Sequence, residues 1–371
     1  MIVAFAFATG FQNTISKKIF SFWGHIRVQH YELGKVAISE ETAINKNDTV
    51  EHILQQNSNV IAINAFATKS AVVEHQKEIE GILIKGIDTR YDSIQLKEFL
   101  LQGRWLRFTD STYSKEILLS ETTAKLIKAN VGDTIKSVFI NSNDGSTKAR
   151  KMLLVGIFKT GVEEIDKTFA IADLRLIQHF NEWDSNKIGG YEVFIKDYKL
   201  TQQVADDMQF PVLWNAKSLK EVNPTIFDWL GVMDTNRNIV FAIMAIVAII
   251  NLITCLLILV LERVKMVGIL KALGCNNVTI QKIFLYYAAI ISATGVGIGC
   301  VAGLGLCLLQ QYTHLFKMNE ENYYVAYAPV EIIWWHVAAI CVITFVLCFA
   351  ALILPTLLIK KVEPVKAIAF K

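Results

Sequence analysis

The chain has 371 residues, of which 53% are hydrophobic and only 19% charged, and its mean hydropathy is +0.38. That is too apolar for an ordinary water-soluble protein. A net charge of +3 offers no basic excess for a nucleic-acid partner, and the seven histidines are scattered without ligand spacing, so no metal site is expected.

At the N-terminus, Met1 is followed by the apolar run Ile2 to Ala8, about 10 Å of helix against a hydrocarbon core of about 30 Å. The run lacks the basic start and small-residue cleavage site of a signal peptide. It is expected to be the outer end of a first span whose beginning lies upstream. Residues 1–24 then form the outer part of that helix and its stalk: FQNTISKKIFSFW continues the helix, Gly24 breaks it, and a strand opens at His25.

Residues 25–230 are mixed and polar, with alternating stretches such as HIRVQHYEL and YEVFIKD and no apolar run long enough to span a membrane. A segment of this size can bury a core of its own. The pattern predicts a helix over 50–57, strands over 59–74 and 80–87, and a helix over 120–130 ended by the turn VGD. NSNDGS at 141–146 is a turn signal between the strands TIKSVFI and KARKMLLVGIF. Helices are expected over 172–180 and 199–208. The whole reads as an α+β domain in two lobes divided near Gly189-Gly190.

Three runs in the C-terminal part, 239–261, 283–309 and 332–359, carry no charge. Each exceeds the roughly 20 residues a spanning helix needs, and one Lys or Arg at a helix centre costs about 2.5–3.5 kcal/mol. Residues 231–371 are therefore expected to form a transmembrane domain with spans at about 238–261, 281–309 and 332–359. Cys255, Cys300, Cys307, Cys341 and Cys348 fall in these runs and Cys275 falls between two of them. With none in the polar segment, no disulfide framework holds it together.

Between the first two long runs lies ERVKMVGILKALG, residues 262–274, whose charges are Glu262, Arg263, Lys265 and Lys271. It predicts a short helix, about 262–275, that Gly274 ends in a left-handed cap, with Asn276 or Asn277 capping the next helix. Val267, Leu270 and Leu273 recur at i, i+3 and i+6, an apolar ridge suited to a groove on a partner. A basic interfacial helix that only fixes topology would carry the same composition. Further on, GVGIGCVAGLG superficially resembles a nucleotide-binding glycine loop, but such a loop follows a strand and opens a helix. Gly295, Gly299 and Gly303 instead recur every four residues inside a span, a small-residue face for close helix packing. No GxxxxGK[ST] occurs, and no spacing of Ser, His and Asp favours catalysis.

The connector carries Arg263, Lys265, Lys271 and Lys282, and the tail carries Lys360, Lys361, Lys366 and Lys371. The 310–331 loop holds Lys317 against Glu320, Glu321 and Glu331. The positive-inside rule places the connector and C-terminus in the cytoplasm and the 310–331 loop and polar domain outside. Tyr323, Tyr324, Trp334 and Trp335 fit an aromatic belt at the outer interface.

The connector resembles the coupling-helix motif E-R-x-x-E-I-G-I-L-K-A-L-G of the FtsX/MacB superfamily of ABC-transporter permeases. Glu262, Arg263, Gly268, Ile269, Leu270, Lys271, Ala272, Leu273 and Gly274 match it, and Met266 stands where many members carry an acid. LPTLLIKKVEPVKAIAF, with Pro355, Glu363, Pro364 and Val365, is similar to the family's ending. GFQNTISKKIFSFWGHIRV is similar to the first-span exit of the lipoprotein-releasing, LolC/LolE-type branch. LLQGRWLRF, EILLSETTAKLIKANVGDTI and LLVGIFKTGVEEID resemble the periplasmic core.

The resemblance implies a membrane α-helical, four-span permease, its first span truncated, with an inserted extracytoplasmic α+β domain in a bacterial inner membrane. It implies a separate cytoplasmic ABC ATPase dimer that binds ATP and Mg, so no cofactor in this chain and no catalysis by it. A second permease subunit, an acylated lipoprotein cargo and a periplasmic carrier are further expected partners. ATPase coupling would fall to Glu262, Arg263, Val267, Gly268, Leu270, Lys271, Leu273 and Gly274. Acyl chains entering from the outer leaflet would meet Phe7, Phe11, Phe20, Ile239, Phe241 and Met244. The family's carrier-recruiting hook falls at NEWDSNKIGG, residues 181–190, which lacks the proline of some LolC-type hooks. Competing expectations are a MacB-like exporter of peptides or small molecules and a non-transporting, FtsX-like envelope protein.

Overall fold

The computed structural model describes residues 1–31, 39–109, 112–140 and 146–358. The turn signal over 141–145 and the basic tail from residue 359 lie outside the described residues. Contacts divide the chain into two units. An apolar unit comprises Met1–Asn13, Leu230–Lys317 and Tyr327–Lys371, and a polar unit comprises Thr14–Trp229 and Met318–Ala326.

Helix α1 (Ile2–Trp23) stops at Gly24, and β1 (Ile26–His30) follows, as the sequence predicts. After β2 (Ile44–Asn45), the Asn47 side chain accepts from the Thr49 and Val50 amides and starts α2 (Asp48–Gln56). β3 (Val60–His75) and β4 (Glu78–Ile87) form a long antiparallel pair. α3 (Ile94–Lys97), β5 (Leu100–Gly103) and β6 (Glu116–Ser120) lead to α4 (Glu121–Leu126), capped by Ser120. α4 is shorter than expected because Lys128 turns left-handed, at φ +56°. β7 (Thr134–Ile140) pairs antiparallel with β8 (Thr147–Phe158). Then come α5 (Glu163–Thr168), β9 (Phe169–Asp173), α6 (Leu174–Phe180) capped by Asp173, β10 (Lys187–Ile188) and β11 (Gly190–Ile195). α7 (Thr201–Asp207), β12 (Trp214–Ser218) and α8 (Leu219–Val222), the last opened by a Ser218/Glu221 capping box, complete this stretch.

Among the described residues the strands form one ten-stranded sheet in the order β12-β1-β11-β3-β4-β9-β6-β8-β5, with β7 pairing both β3 and β8. That double pairing closes β3, β4, β9, β6, β8 and β7 into a ring, which leaves those strands without free edges. Its interior is filled by alternating side chains including Val73, Ile84, Ile117, Leu119, Ile135 and Leu154, each fully buried. The two-lobe expectation is corrected here. Gly190 pairs with Gln29 of β1 and Phe66 of β3, so Gly189-Gly190 lies inside the sheet rather than at a boundary.

The remaining helices are α9 (Pro224–Glu262), α10 (Val264–Ala272), α11 (Asn277–Thr313), α12 (Glu320–Tyr323) and α13 (Trp334–Leu358). Within α9 and α11, Pro224–Cys255 and Asn277–Thr313 are long and apolar enough to cross a membrane, and α13 contributes the shorter apolar stretch Trp334–Leu347. Ile2 and Ala6 of α1 pack with Cys307 of α11 and Val337 of α13. Elsewhere the surface is apolar: Ile239, Ile243, Ile246 and Ile250 are each more than half exposed. Such a face belongs against lipid or another chain.

The glycine stripe packs as expected at one position. A Cβ on Gly303 would meet Ile2 at 3.3 Å, whereas nothing lies within 4 Å of one built on Gly295 or Gly299. Those two glycines instead line an apolar cavity of about 400 Å³ with Leu252, Ile291, Val296 and Ile340.

Candidate functional site

The connector folds as expected in outline. Arg263 precedes α10. At its C-terminal end the Gly274 amide donates to Lys271 O at 3.0 Å and the Cys275 amide to Leu270 O at 3.0 Å, with Gly274 at φ +87°. A left-handed residue closing the last carbonyls is the role glycine fills at little steric cost. The Asn276 side chain accepts from the Val278 amide and opens α11.

The faces of α10 differ from the predicted ridge. Val267 is fully buried against Ile280 and Phe284 of α11, with Leu270 packed partly on the same cluster and Gly268 buried beside it. Only Leu273 of the ridge points outward, 79% exposed, and it is joined by Ile269 at 54%. Glu262, Arg263, Lys265, Ala272 and Gly274 are exposed with them, and Lys271 is half-buried. Burying Val267 fixes α10 on α11, which leaves Ile269 and Leu273 as an apolar pair in a basic surround. Ile269 matched the motif, but its outward direction was not legible from a helix apolar on both sides.

The six groove candidates do not form one surface. Phe7 lies 5.6 Å from Phe11, which is buried. Phe241 lies 5.7 Å edge-on to Phe5, which also meets His336 at 4.7 Å and carries the Arg237 guanidinium 5.4 Å from its ring centre. Met244 is half-buried and Ile239 is half-exposed. Phe20 is the exception: it is buried in the polar unit against His25, Tyr198 and Phe227, with ring centres at 4.5, 5.5 and 5.6 Å. A side chain enclosed by that aromatic cluster cannot face an acyl groove. Phe5 and Arg237 were missed, because only the folded helices show that Phe5 faces α9. Gln12 Nε2 donates to Asp234 at 2.9 Å and Arg237 pairs with Asp234 at 2.9 Å, so the same helix pair also carries a polar link.

Within the polar unit a buried ionic network grips the C-terminal end of α1. Lys85 Nζ donates to the Phe22 carbonyl, to Glu192 at 2.8 Å and to Tyr91 Oη at 3.1 Å, and the Tyr91 hydroxyl donates to Glu192 at 2.6 Å. Burial pushes the Lys85 ammonium below the usual lysine value and the Tyr91 phenol well above its own, with Glu192 opposing the first shift and adding to the second. Beside it, Arg27 donates to Glu41 at 3.0 Å and stacks over Trp23 and Phe66 at 4.8 and 4.4 Å. Glu41 also accepts from the Thr68 amide at 2.8 Å.

The expected hook, residues 181–190, is tied down. Trp183 packs on the core, Lys187–Ile188 pair with Ile44–Asn45, Glu182 pairs with Lys148 at 2.8 Å, and Gln178 Nε2 donates to Lys187 O at 2.8 Å. Tyr324, assigned by sequence to an interfacial belt, is instead held in the polar unit, where its hydroxyl donates to Glu164 at 3.1 Å.

Comparison with known proteins agrees with both halves of this arrangement. Residues 1–209 match the MacB-like periplasmic core domain, and residues 238–364 match the FtsX-like permease C-terminal family. The chain is 21% identical over 387 residues to the lipoprotein-releasing system transmembrane protein LolE of Haemophilus influenzae, covering all of this chain and 90% of that protein. It is 21% identical over 392 residues to LolC of Neisseria meningitidis serogroup B, covering all of this chain and 91% of that protein. The solved periplasmic region of MacB from Actinobacillus actinomycetemcomitans is 14% identical, covers 55% of this chain and 92% of that one, and superposes with a TM-score of 0.36, a score at which the likeness carries no weight. With a periplasmic-core match over more than half its length and a permease match over residues 238–364, the chain belongs to the FtsX/MacB superfamily of ABC-transporter permeases, and it resembles the lipoprotein-releasing LolC/LolE-type subunits throughout.

Proposed function

We propose that this chain is a permease subunit that extracts lipoproteins from the outer leaflet of a bacterial inner membrane for delivery to a periplasmic carrier. The observation that carries this reading is the extent of the similarity to LolE and LolC, which runs over the entire chain. In this reading α1, α9, α11 and α13 are four spans, with the polar unit in the periplasm and α10 in the cytoplasm. A separate ATPase dimer binds and hydrolyses ATP with Mg. Its closure reaches the spans through α10, whose outward Ile269 and Leu273 supply the apolar knob and whose Arg263 and Lys265 supply a basic rim. The buried network around Lys85 stiffens the C-terminal end of α1, as a lever needs. A second permease subunit, identical or related, faces the exposed apolar side of α9 across a groove, and acyl chains enter that groove against Ile239, Phe241 and Met244 with about 0.8 kcal/mol per buried methylene.

The match of residues 1–209 to the MacB-like core favours a second reading, export of peptides or small molecules. Purification from native membranes separates the two. The lipoprotein reading expects a distinct ATPase, a second permease and acylated protein to accompany the chain. An assembly that carries an ATPase and no acylated protein supports the exporter.

A further inference from the structure

The segment Met318–Ala326 lies between α11 and α13 in the chain, yet its contacts place it in the polar unit. It closes on itself, with the Met318 amide donating to Ala326 O at 3.0 Å and α12 filling the turn. Side chains from four separate places hold it. Lys159, just after β8, lies 2.5 Å from the Glu320 carboxylate. Lys18 of α1 donates to the Tyr324 carbonyl at 2.8 Å. Glu164 of α5 accepts from the Tyr324 hydroxyl, and Trp229 meets the Tyr324 ring edge-on at 5.9 Å.

The seat beneath it is Gly161. A Cβ there would sit 2.5 Å from Lys18 Nζ and 2.7 Å from Glu320 Oε1, and the residue stands at φ +75°. The backbone angle favours glycine, and a side chain there would push the Lys18 and Glu320 ends aside. Burial lowers the Lys18 pKa, with Glu320 and Asp166 pulling it back up, which fits an ammonium enclosed beneath the segment.

The grip is largely polar and separable. The Lys159 and Glu320 side chains remain 34% and 28% exposed, so salt screens their attraction. Lys159 also lies 3.4 Å from Glu121, and it keeps that acid if Glu320 leaves. Besides these contacts only Val325 of the segment is a buried apolar side chain among the described residues, and a segment anchored so lightly opens more easily than a core strand.

We propose that Met318–Ala326 is a latch, closed on the Gly161 seat in the state described and released when ATP binding moves the helices to which it is joined. The segment is covalently continuous with α11 on one side and α13 on the other, so displacement of those helices loads it directly. This inference rests on membership of the ABC permeases and is independent of the cargo.

Hydrogen–deuterium exchange on the assembled, cargo-free complex with its ATPase tests the latch. Lys159→Met and Glu320→Gln should each speed exchange over 318–326 about tenfold, and the double variant should exceed neither single. Gly161→Ala should open the same peptide. In the unmodified complex, a non-hydrolysable ATP analogue should speed exchange there at least fivefold while leaving β3 unchanged. Additive effects in the double variant, or unchanged exchange in all three variants, would overturn the seat. Equal exchange with and without nucleotide would make the segment a permanent brace and overturn the latch.

Discussion

Lys85 Nζ lies 2.8 Å from both carboxylate oxygens of Glu192, with the two side chains 1% and 0% exposed. The pair joins β4 to β11, strands separated by β3 in the sheet, and the same ammonium holds the last turn of α1 through the Phe22 carbonyl. An ammonium this deep is tolerated because acceptors and aromatic faces outweigh the repulsion of nearby Arg27: the Phe22 and Tyr91 rings stand 4.6 and 5.3 Å away.

Removing one partner should cost more than removing both. Lys85→Met leaves Glu192 buried without its cation and should destabilise the protein by about 3–5 kcal/mol. Lys85→Met combined with Glu192→Leu should recover most of that loss. Chemical unfolding of the detergent-solubilised chain, followed by tryptophan fluorescence, reads both. A double-variant loss equal to the sum of the Lys85→Met and Glu192→Leu losses would show that the pair is not energetically coupled.

His25 makes stability depend on pH. Burial pushes its imidazole down to about 4 from the ordinary 6.5, and its Nδ1 accepts from the Ile195 amide at 3.1 Å, which only the neutral ring can do. The folded state therefore binds this proton less readily than the unfolded state. The contribution is full above pH 6.5 and is lost progressively as pH falls toward 4, about 3 kcal/mol in all. His25→Gln should flatten the stability profile across that window. A wild-type profile already flat between pH 6.5 and 4 would contradict the assignment.

The two faces of α10 should separate on mutation. Leu273→Asp and Ile269→Asp place a charge on the exposed face and should abolish ATPase association while the chain still accumulates in membranes. Val267→Asp, buried against Ile280 and Phe284, should instead reduce the amount of folded chain. If Leu273→Asp retains full ATPase in pull-down, the outward face is not the docking surface.

Much of this was legible locally. Gly24 ended α1 where the strand alternation began, and charge-free runs marked the apolar helices because few other structures tolerate them. The ring was not legible, because its closure depends on Ala71 meeting Phe139 across 68 positions of sequence, a register no local pattern encodes. Phe20 was misassigned for a related reason. Its neighbours in sequence are a helix leaving an apolar segment, but its neighbours in space come from Tyr198 and Phe227. On α10 apolar residues occur on both faces, so spacing alone could not distinguish the inward Val267 from the outward Leu273.

The central claim is that acylated protein passes along the apolar face of α9. Photocrosslinking side chains at Ile239 and Met244, with a third at the enclosed Phe20 as control, test it in membranes containing the complete transporter. The account predicts capture of acylated protein at Ile239 and Met244, none at Phe20, and loss of the adducts when ATP is supplied. Adducts of bulk phospholipid alone at all positions, unchanged by ATP, would contradict it.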